Sequence, residues 1–208
     1  MALANYDDLS KEFESWMHRD DLGTKFDTFL RMAEVEIYSN PDEALKILSQ
    51  ETIAEATLDI TTRFLALPAG INSQTRLVIK IDDNNLKVPY VSPSAIRTCE
   101  ESGTPTQFTI SNGQIEFNRI PDDTYTVSIL YSLTDDPLTV TNQTNTVMTR
   151  YPNIYLFGCL SNAFAFVADN EEASKYSQFF LQAIKDANRR ERMIKYPTGI
   201  NIKSPRVV

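Results

Sequence analysis

The apolar residues of this chain follow two different periods, and the period changes twice along the sequence. In residues 6–50 large apolar side chains recur every three or four positions, as they do on one face of an α-helix. From about residue 55 to 133 they tend to alternate with polar residues, as in half-buried strands. The helical period returns after residue 150. We therefore predict an α+β protein in which helical segments flank a β segment.

Three helices are expected before the strands. The first covers residues 6–18, the second is capped by Thr24, and the third follows Asn40-Pro41 and continues to about Gln50. Two more are expected after residue 150. The first of these is apolar nearly all round, which predicts a core helix, and the second ends in a basic cluster.

The central segment carries turn signals between its strands. Asn112-Gly113 lies between alternating apolar residues, which predicts a two-residue hairpin turn. A second hairpin is expected across residues 82–85, and a short helix after Ser92-Pro93. We thus predict a helical bundle from residues 1–54 and 134–195, an inserted small antiparallel β domain at 55–133, and an extended C-terminal arm at 196–208.

Charge is distributed unevenly along the chain. Its net charge is −8, but residues 189–208 carry six basic side chains against Glu191 alone, hence +5, which leaves −13 for the rest. A basic tail on an acidic body is typical of a docking arm. At the predicted helix end, basic residues could equally complement the negative end of the helix dipole, which Lys203 and Arg206 could not do. The candidate docking residues are Arg189, Arg190, Arg192 and Lys195 at the helix end, and Tyr196, Ile200, Ile202, Lys203, Arg206, Val207 and Val208 in the arm.

The chain offers little for catalysis. His18 is the only histidine, and the Asp pairs fall at expected helix starts or turns, where Asp commonly caps or turns the chain. The two cysteines, Cys99 and Cys159, are too few for a disulfide framework or a zinc site, and we expect them to be reduced inside the cell. The N-terminus lacks the features of a secretion signal, and the longest apolar run is too short to span a bilayer. We expect a soluble protein without enzymatic activity, cofactor, metal or membrane partner.

Several motifs taken in order resemble one family of proteins. They are the stretch 29–37 (FLRMAEVEI), the stretch 65–70 (LALPAG), the hairpin 82–94 (DDNNLKVPYVSPS), and the stretch 151–160 (YPNIYLFGCL) with 171–176 (EEASKY) after it. This sequence is similar to the head-to-tail adaptor proteins of short-tailed bacteriophages, also called connector or tail-tubular A proteins. The similarity extends from about residue 24 to 192.

The resemblance implies a structural virion protein in the neck of the phage, assembled in the host cytoplasm. It implies a ring, commonly of twelve copies, between the portal protein and the tail nozzle or fibres. The helical part would build the ring and the C-terminal extension would reach onto the portal. Genome DNA would pass through the lumen without specific binding, and an acidic lumen would repel its phosphates. Two alternatives stay open: another head-completion or tail-tube protein, and a small regulatory or nucleic-acid-binding module.

Overall fold

The computed structural model describes residues 3–19, 21–40, 43–71, 78–81 and 86–195. Helices account for 43% of the described residues and antiparallel sheets for 20%, so the predicted α+β class is confirmed. The described residues divide into two compact units. One combines the residues up to Gln50 with those from Asp135 onward, and the other is Glu51–Thr134. The sequence-based boundaries lie after residues 54 and 133.

The first unit contains all the α-helices of the described residues. Its core is formed where their apolar faces meet, and it includes Leu9 and Phe13 of the first helix, both fully buried. The helices are α1 (Tyr6–Met17), α2 (Phe26–Ser39), α3 (Thr146–Arg150), α4 (Pro152–Phe166) and α5 (Asn170–Lys195).

The apolar helix α4 lies in the centre of this unit, as its sequence predicts. Its residues Ile154, Cys159 and Leu160 are completely buried, and α1, α2 and α5 all pack against it. Burial of the Cys159 thiol raises its pKa far above the usual value, so this cysteine behaves as a small apolar side chain.

Two details at the ends of α2 differ from the prediction. Thr24 does not cap the helix, because residues Gly23–Lys25 form a 3₁₀ turn that leads directly into Phe26. The prediction of a third helix up to Gln50 is also wrong for the described residues. Residues 43–47 have no regular structure and only Leu48–Gln50 form a 3₁₀ turn, because side chains of α5 bind backbone N–H groups of this segment.

The linker between the last strand and α3 is rich in polar residues, but part of it packs on the helices. Leu138 is buried, and its backbone N–H donates to Glu34 of α2 over 2.7 Å. Asn145 then caps α3 by accepting from the N–H of Met148. The linker is therefore part of the helical unit.

The second unit contains two antiparallel sheets with a shared apolar core. One sheet has the order β1-β7-β3-β4, and the other β2-β6-β5. The strands are β1 (Glu51–Leu58), β2 (Phe64–Ala66), β3 (Val78–Ile81), β4 (Leu86–Val88), β5 (Phe108–Ser111), β6 (Gln114–Phe117) and β7 (Tyr125–Ser132).

The predicted Asn-Gly hairpin is present. Strands β5 and β6 pair across Asn112 and Gly113, which have φ values of 48° and 71°. The antiparallel pairing of β3 with β4 matches the second expected hairpin, although residues 82–85 of its turn lie outside the described residues. The expected helix after Ser92-Pro93 is reduced to a single turn, in which the carbonyl of Ser92 accepts from the N–H groups of Ala95 and Ile96.

Candidate interaction surfaces

The C-terminal half of α5 is fixed to its unit by two buried polar side chains. The first is Asn188, whose amide nitrogen donates to Glu43 and to the carbonyl of Ala44, each over 3.0 Å. Its amide oxygen accepts from the N–H of Lys46 over 2.8 Å. The side chain of Asn188 thus provides hydrogen-bond partners for three polar groups of a segment without regular secondary structure.

Glu191 is the second of these side chains and is only 3% exposed. Its carboxylate accepts from the N–H of Leu48 over 2.9 Å and from the hydroxyl of Tyr151 over 2.7 Å, and it forms an ion pair of 2.9 Å with Arg150. Burial, together with the hydrogen bond to this carboxylate, raises the pKa of Tyr151. The buried charge is therefore paired and hydrogen-bonded, as a buried charge has to be.

The four basic residues predicted at the helix end surround these anchors. Arg189, Arg190, Arg192 and Lys195 all lie in the last two turns of α5 and are exposed. Arg192 and Lys195 are in the last turn, where cations stabilise the helix dipole. The predicted arm residues Tyr196, Ile200, Ile202, Lys203, Arg206, Val207 and Val208 lie outside the described residues.

An aromatic cluster on the helical unit is exposed to a degree that the sequence does not reveal. Trp16 lies 6.4 Å from Phe157 and 6.3 Å from Tyr176, between ring centroids. Phe179 lies 5.6 Å from Phe157, and Phe164 stacks on Tyr176 at 5.3 Å. Trp16 and Phe179 remain more than 40% exposed although they contact other rings. Aromatic groups in such half-exposed clusters are typical of protein interfaces.

Helix α2 carries a second exposed surface with two apolar side chains at its centre, which we call the α2 stripe. It consists of Thr28, Met32, Val35 and Ser39, whose spacing of four, three and four places them on one face of the helix. All four are exposed, and the opposite face, with Ala33 and Ile37, is buried. Since α2 already buries a complete apolar face, this stripe is not required for the core of its own unit.

The β unit has a partly exposed apolar row as well. Ile53, Leu130 and Val78 are neighbours across β1, β7 and β3, and Ile53 is 64% exposed. Among the described residues no group of three or more His, Cys, Asp or Glu side chains could hold a metal ion. No helix in the described part of the chain is long and apolar enough to cross a membrane.

Comparison with known proteins places the chain in a family. The sequence model of the SU10 adaptor protein family matches residues 4–202, which is nearly the whole chain. No curated protein matches the sequence significantly. The match confirms the resemblance to phage head-to-tail adaptors. This family consists of structural virion proteins that associate with other virion proteins in the neck. The chain thus belongs to the SU10 adaptor protein family and is a structural adaptor protein of a bacteriophage virion.

Proposed function

We propose that copies of this chain form a ring, of twelve subunits, that joins the portal protein to the tail nozzle or fibres and continues the DNA channel. The family match over residues 4–202 carries this proposal. The exposed aromatic cluster and the α2 stripe support it, because a monomer has no need of two apolar surfaces outside a complete core.

In this proposal the helical domain, residues 1–54 and 134–195, builds the ring, and residues 55–133 are a β-rich domain inserted in its sequence. Assembly takes place in the host cytoplasm. The decisive experiment is electron microscopy of the purified protein mixed with its portal protein. We expect a twelvefold ring on the portal, with its other face free for the nozzle. A protein that binds tail components but not the portal would instead be a tail-tube or head-completion protein.

We propose further that residues 196–208 dock on the portal. They follow directly on a helix end that Asn188 and Glu191 hold in place. Basic side chains at this position would pair with acidic groups of the portal. They are Arg189, Arg190, Arg192 and Lys195 on the helix and Lys203 and Arg206 beyond it. Apolar side chains of the arm would fill apolar sites on the surface of the portal. They are those of Tyr196, Ile200, Ile202, Val207 and Val208.

Truncation tests the role of the arm. Deletion of residues 196–208 should leave the circular dichroism spectrum and thermal unfolding of the chain close to those of the full protein, but abolish binding to the portal in a pull-down assay. The matched control variant is Lys185→Ala, at an exposed position of α5 away from its end, and it should bind normally. If the truncated chain binds as well as the full one, the arm has no part in docking.

The net charge of −8 suggests a role for the lumen of the proposed ring. Acidic side chains facing the lumen would repel the DNA phosphates, so that the genome passes through without specific binding. An electron microscopy density map of the ring bound to the portal shows which side chains line the lumen and so tests this idea. A neutral or basic lumen, with the acidic residues on the ring exterior or between subunits, would exclude the idea.

A further inference from the structure

We propose that docking of the basic end of α5 on the portal is coupled, through Asn188 and Glu191, to the segment 43–50 that leads into β1. The inference rests on the proposed function and adds a conformational consequence to it. The element that connects the two places consists of the last two turns of α5, residues 188–195, which we call the α5 end. Docking would stabilise the α5 end and the segment 43–50 together.

The backbone of the segment 43–50 takes hydrogen-bond partners from the α5 end. Residues 43–47 have no regular structure. The N–H of Lys46 donates to Asn188 over 2.8 Å, and the N–H of Leu48 donates to Glu191 over 2.9 Å. The carbonyl of Ala44 accepts from the amide nitrogen of Asn188 over 3.0 Å. Because the helix positions both of these side chains, unwinding of the α5 end would break all three bonds.

The α5 end has little burial of its own. Glu191 is only 3% exposed, and it is the last buried residue of the helix. Residues 192–195, which follow it, are all exposed, and Met193 and Ile194 among them are more than half exposed. Helix ends with few buried contacts open at a lower free energy than the core does. The α5 end therefore exchanges between a wound state, which binds the segment 43–50, and an unwound state, which releases it.

Docking on a partner favours the wound state. The α5 end carries four exposed cations, Arg189, Arg190, Arg192 and Lys195. Their relative positions are fixed only while the helix is wound. A partner whose acidic groups match this arrangement binds the wound state more tightly, and a ligand that prefers one of two states shifts the equilibrium toward it. Portal docking would thus stabilise the hydrogen bonds of Asn188 and Glu191 with the segment 43–50.

The coupling acts in both directions. By linkage, the contacts that portal binding stabilises must raise the affinity for the portal by the same factor. Asn188 is only 8% exposed, so its side chain is not available for a direct contact with a partner at the surface. It would act on the affinity as a positioning residue, because its bonds to the segment 43–50 keep the α5 end wound.

The segment 43–50 ends at the point where the chain leaves the helical unit. Gln50 is the last residue of that unit before β1 begins at Glu51. The side chain of Gln50 is buried and donates to the hydroxyl of Tyr38 over 2.9 Å. Docking at the α5 end would therefore also stabilise the connection through which the chain enters the β unit.

Amide hydrogen exchange of the full-length protein, alone and bound to the portal, tests the coupling. The amides of Lys46 and Leu48 should exchange at least about fivefold more slowly in the complex, which is the low end of typical coupling between two sites. The matched control is the pair of amides of Tyr6 and Asp7, which donate to Gln143 in the same unit instead of to α5. Their exchange should change little. Unchanged exchange at Lys46 and Leu48, or equal slowing in both pairs, would overturn the proposal.

The variant Asn188→Ala tests the reverse direction. It changes no residue of the arm and none of the four cations, yet it should weaken binding to the portal by about fivefold or more in a titration. The matched control is Gly158→Ala, where the added β-carbon would meet Ala33 and Phe180 in the core of the same unit. This control should bind normally. Normal binding by Asn188→Ala, or equal weakening by both variants, would show that the anchoring of the α5 end does not act on docking.

Two further results separate this coupling from the proposed function. If the wild-type protein does not bind the portal, the proposed function fails and the coupling fails with it. If the wild-type protein binds and the amides of Lys46 and Leu48 do not respond, only the coupling is wrong. Circular dichroism shows whether Asn188→Ala folds. If it does not fold, the exchange rates of the wild-type protein alone decide.

Discussion

Gly158 of α4 packs directly against Ala33 of α2. A β-carbon added at Gly158 would lie 2.8 Å from the Cβ of Ala33 and 3.1 Å from the ring of Phe180. Carbon atoms do not approach so closely without displacement, so the central helix can touch both α2 and α5 only because this position lacks a side chain.

Replacing Gly158 by Ala should therefore destabilise the helical unit. Overpacking a core typically costs about 1–3 kcal/mol, and the better helix propensity of Ala returns at most about 1 kcal/mol. We expect a net loss of about 1–2 kcal/mol in urea unfolding followed by the fluorescence of Trp16, the only tryptophan.

The double variant Gly158→Ala, Ala33→Gly identifies the cause. It removes the closest clashing atom and should recover part of the loss beyond what the two single changes predict together. Strictly additive effects would show that the contact with Ala33 does not limit the packing.

Glu191 should contribute more to stability than any exposed acid on α5. Glu191→Ala leaves the N–H of Leu48, the hydroxyl of Tyr151 and the guanidinium of Arg150 without this acceptor. A buried donor that loses its acceptor costs about 1–3 kcal/mol, whereas the Arg150 side chain is 35% exposed and can be solvated. We expect a loss in this range in urea unfolding.

A control at an exposed position of the same helix isolates this effect. Lys185→Ala should change the free energy of unfolding by no more than about 0.5 kcal/mol. Equal effects of the two substitutions would mean that the anchoring contacts of Glu191 are energetically unimportant.

The sequence predicts those elements whose local pattern agrees with their tertiary environment. Helix α4 is apolar all round and is buried, and Asn112-Gly113 adopts the positive φ values that its turn requires. The helix predicted for residues 43–50 does not form. The backbone of this segment is instead held by Asn188 and Glu191, more than 140 positions away in the sequence. A helical period in a local window carries no information about such distant acceptors.

The exposure of the aromatic cluster could not be predicted from the sequence for a different reason. Trp16 and Phe179 have the same helical spacing as the core residues beside them, so their pattern predicts burial. Only the arrangement of α1, α4 and α5 shows that both remain more than 40% exposed. The exposure of the basic helix end could be predicted, because Arg189, Arg190, Arg192 and Lys195 carry long charged side chains, which normally lie at the surface.

Asn118 organises a loop of the β unit and should be sensitive to substitution. Its side-chain oxygen accepts from the N–H groups of Thr106 and Gln107, and its amide nitrogen donates to the hydroxyl of Thr106. Asn118→Ala leaves both N–H groups without this acceptor, which costs about 1–3 kcal/mol for each group that stays buried and unpaired.

Amide hydrogen exchange measures this effect locally. The amides of Thr106 and Gln107 should exchange faster in Asn118→Ala, while amides of α4 in the helical unit should be unaffected. Asn118→Asp keeps the acceptor and loses only the donor, so it should retain most of the protection. Equal exchange rates in the wild-type protein and in Asn118→Ala would refute this role.

Glu34 should make the stability of the helical unit depend on pH. Burial raises the pKa of this carboxyl group, and the hydrogen bond from Leu138 and the ion pair with Arg31 offset that only in part. The native state therefore binds this proton more tightly than the unfolded chain does. The contribution of Glu34 to the free energy of unfolding thus falls as pH rises through the raised pKa and is largest at low pH.

Comparison with Glu34→Gln isolates this contribution, because Gln keeps an oxygen for the N–H of Leu138 but does not titrate. The free energy of unfolding of the wild-type protein minus that of Glu34→Gln should be larger at pH 5 than at pH 7, in urea unfolding followed by Trp16 fluorescence. Glu171→Gln, at an exposed site at the start of α5, measures the background. A difference that instead grows with pH would mean that the ion pair with Arg31 outweighs burial, and that Glu34 is held in its charged form.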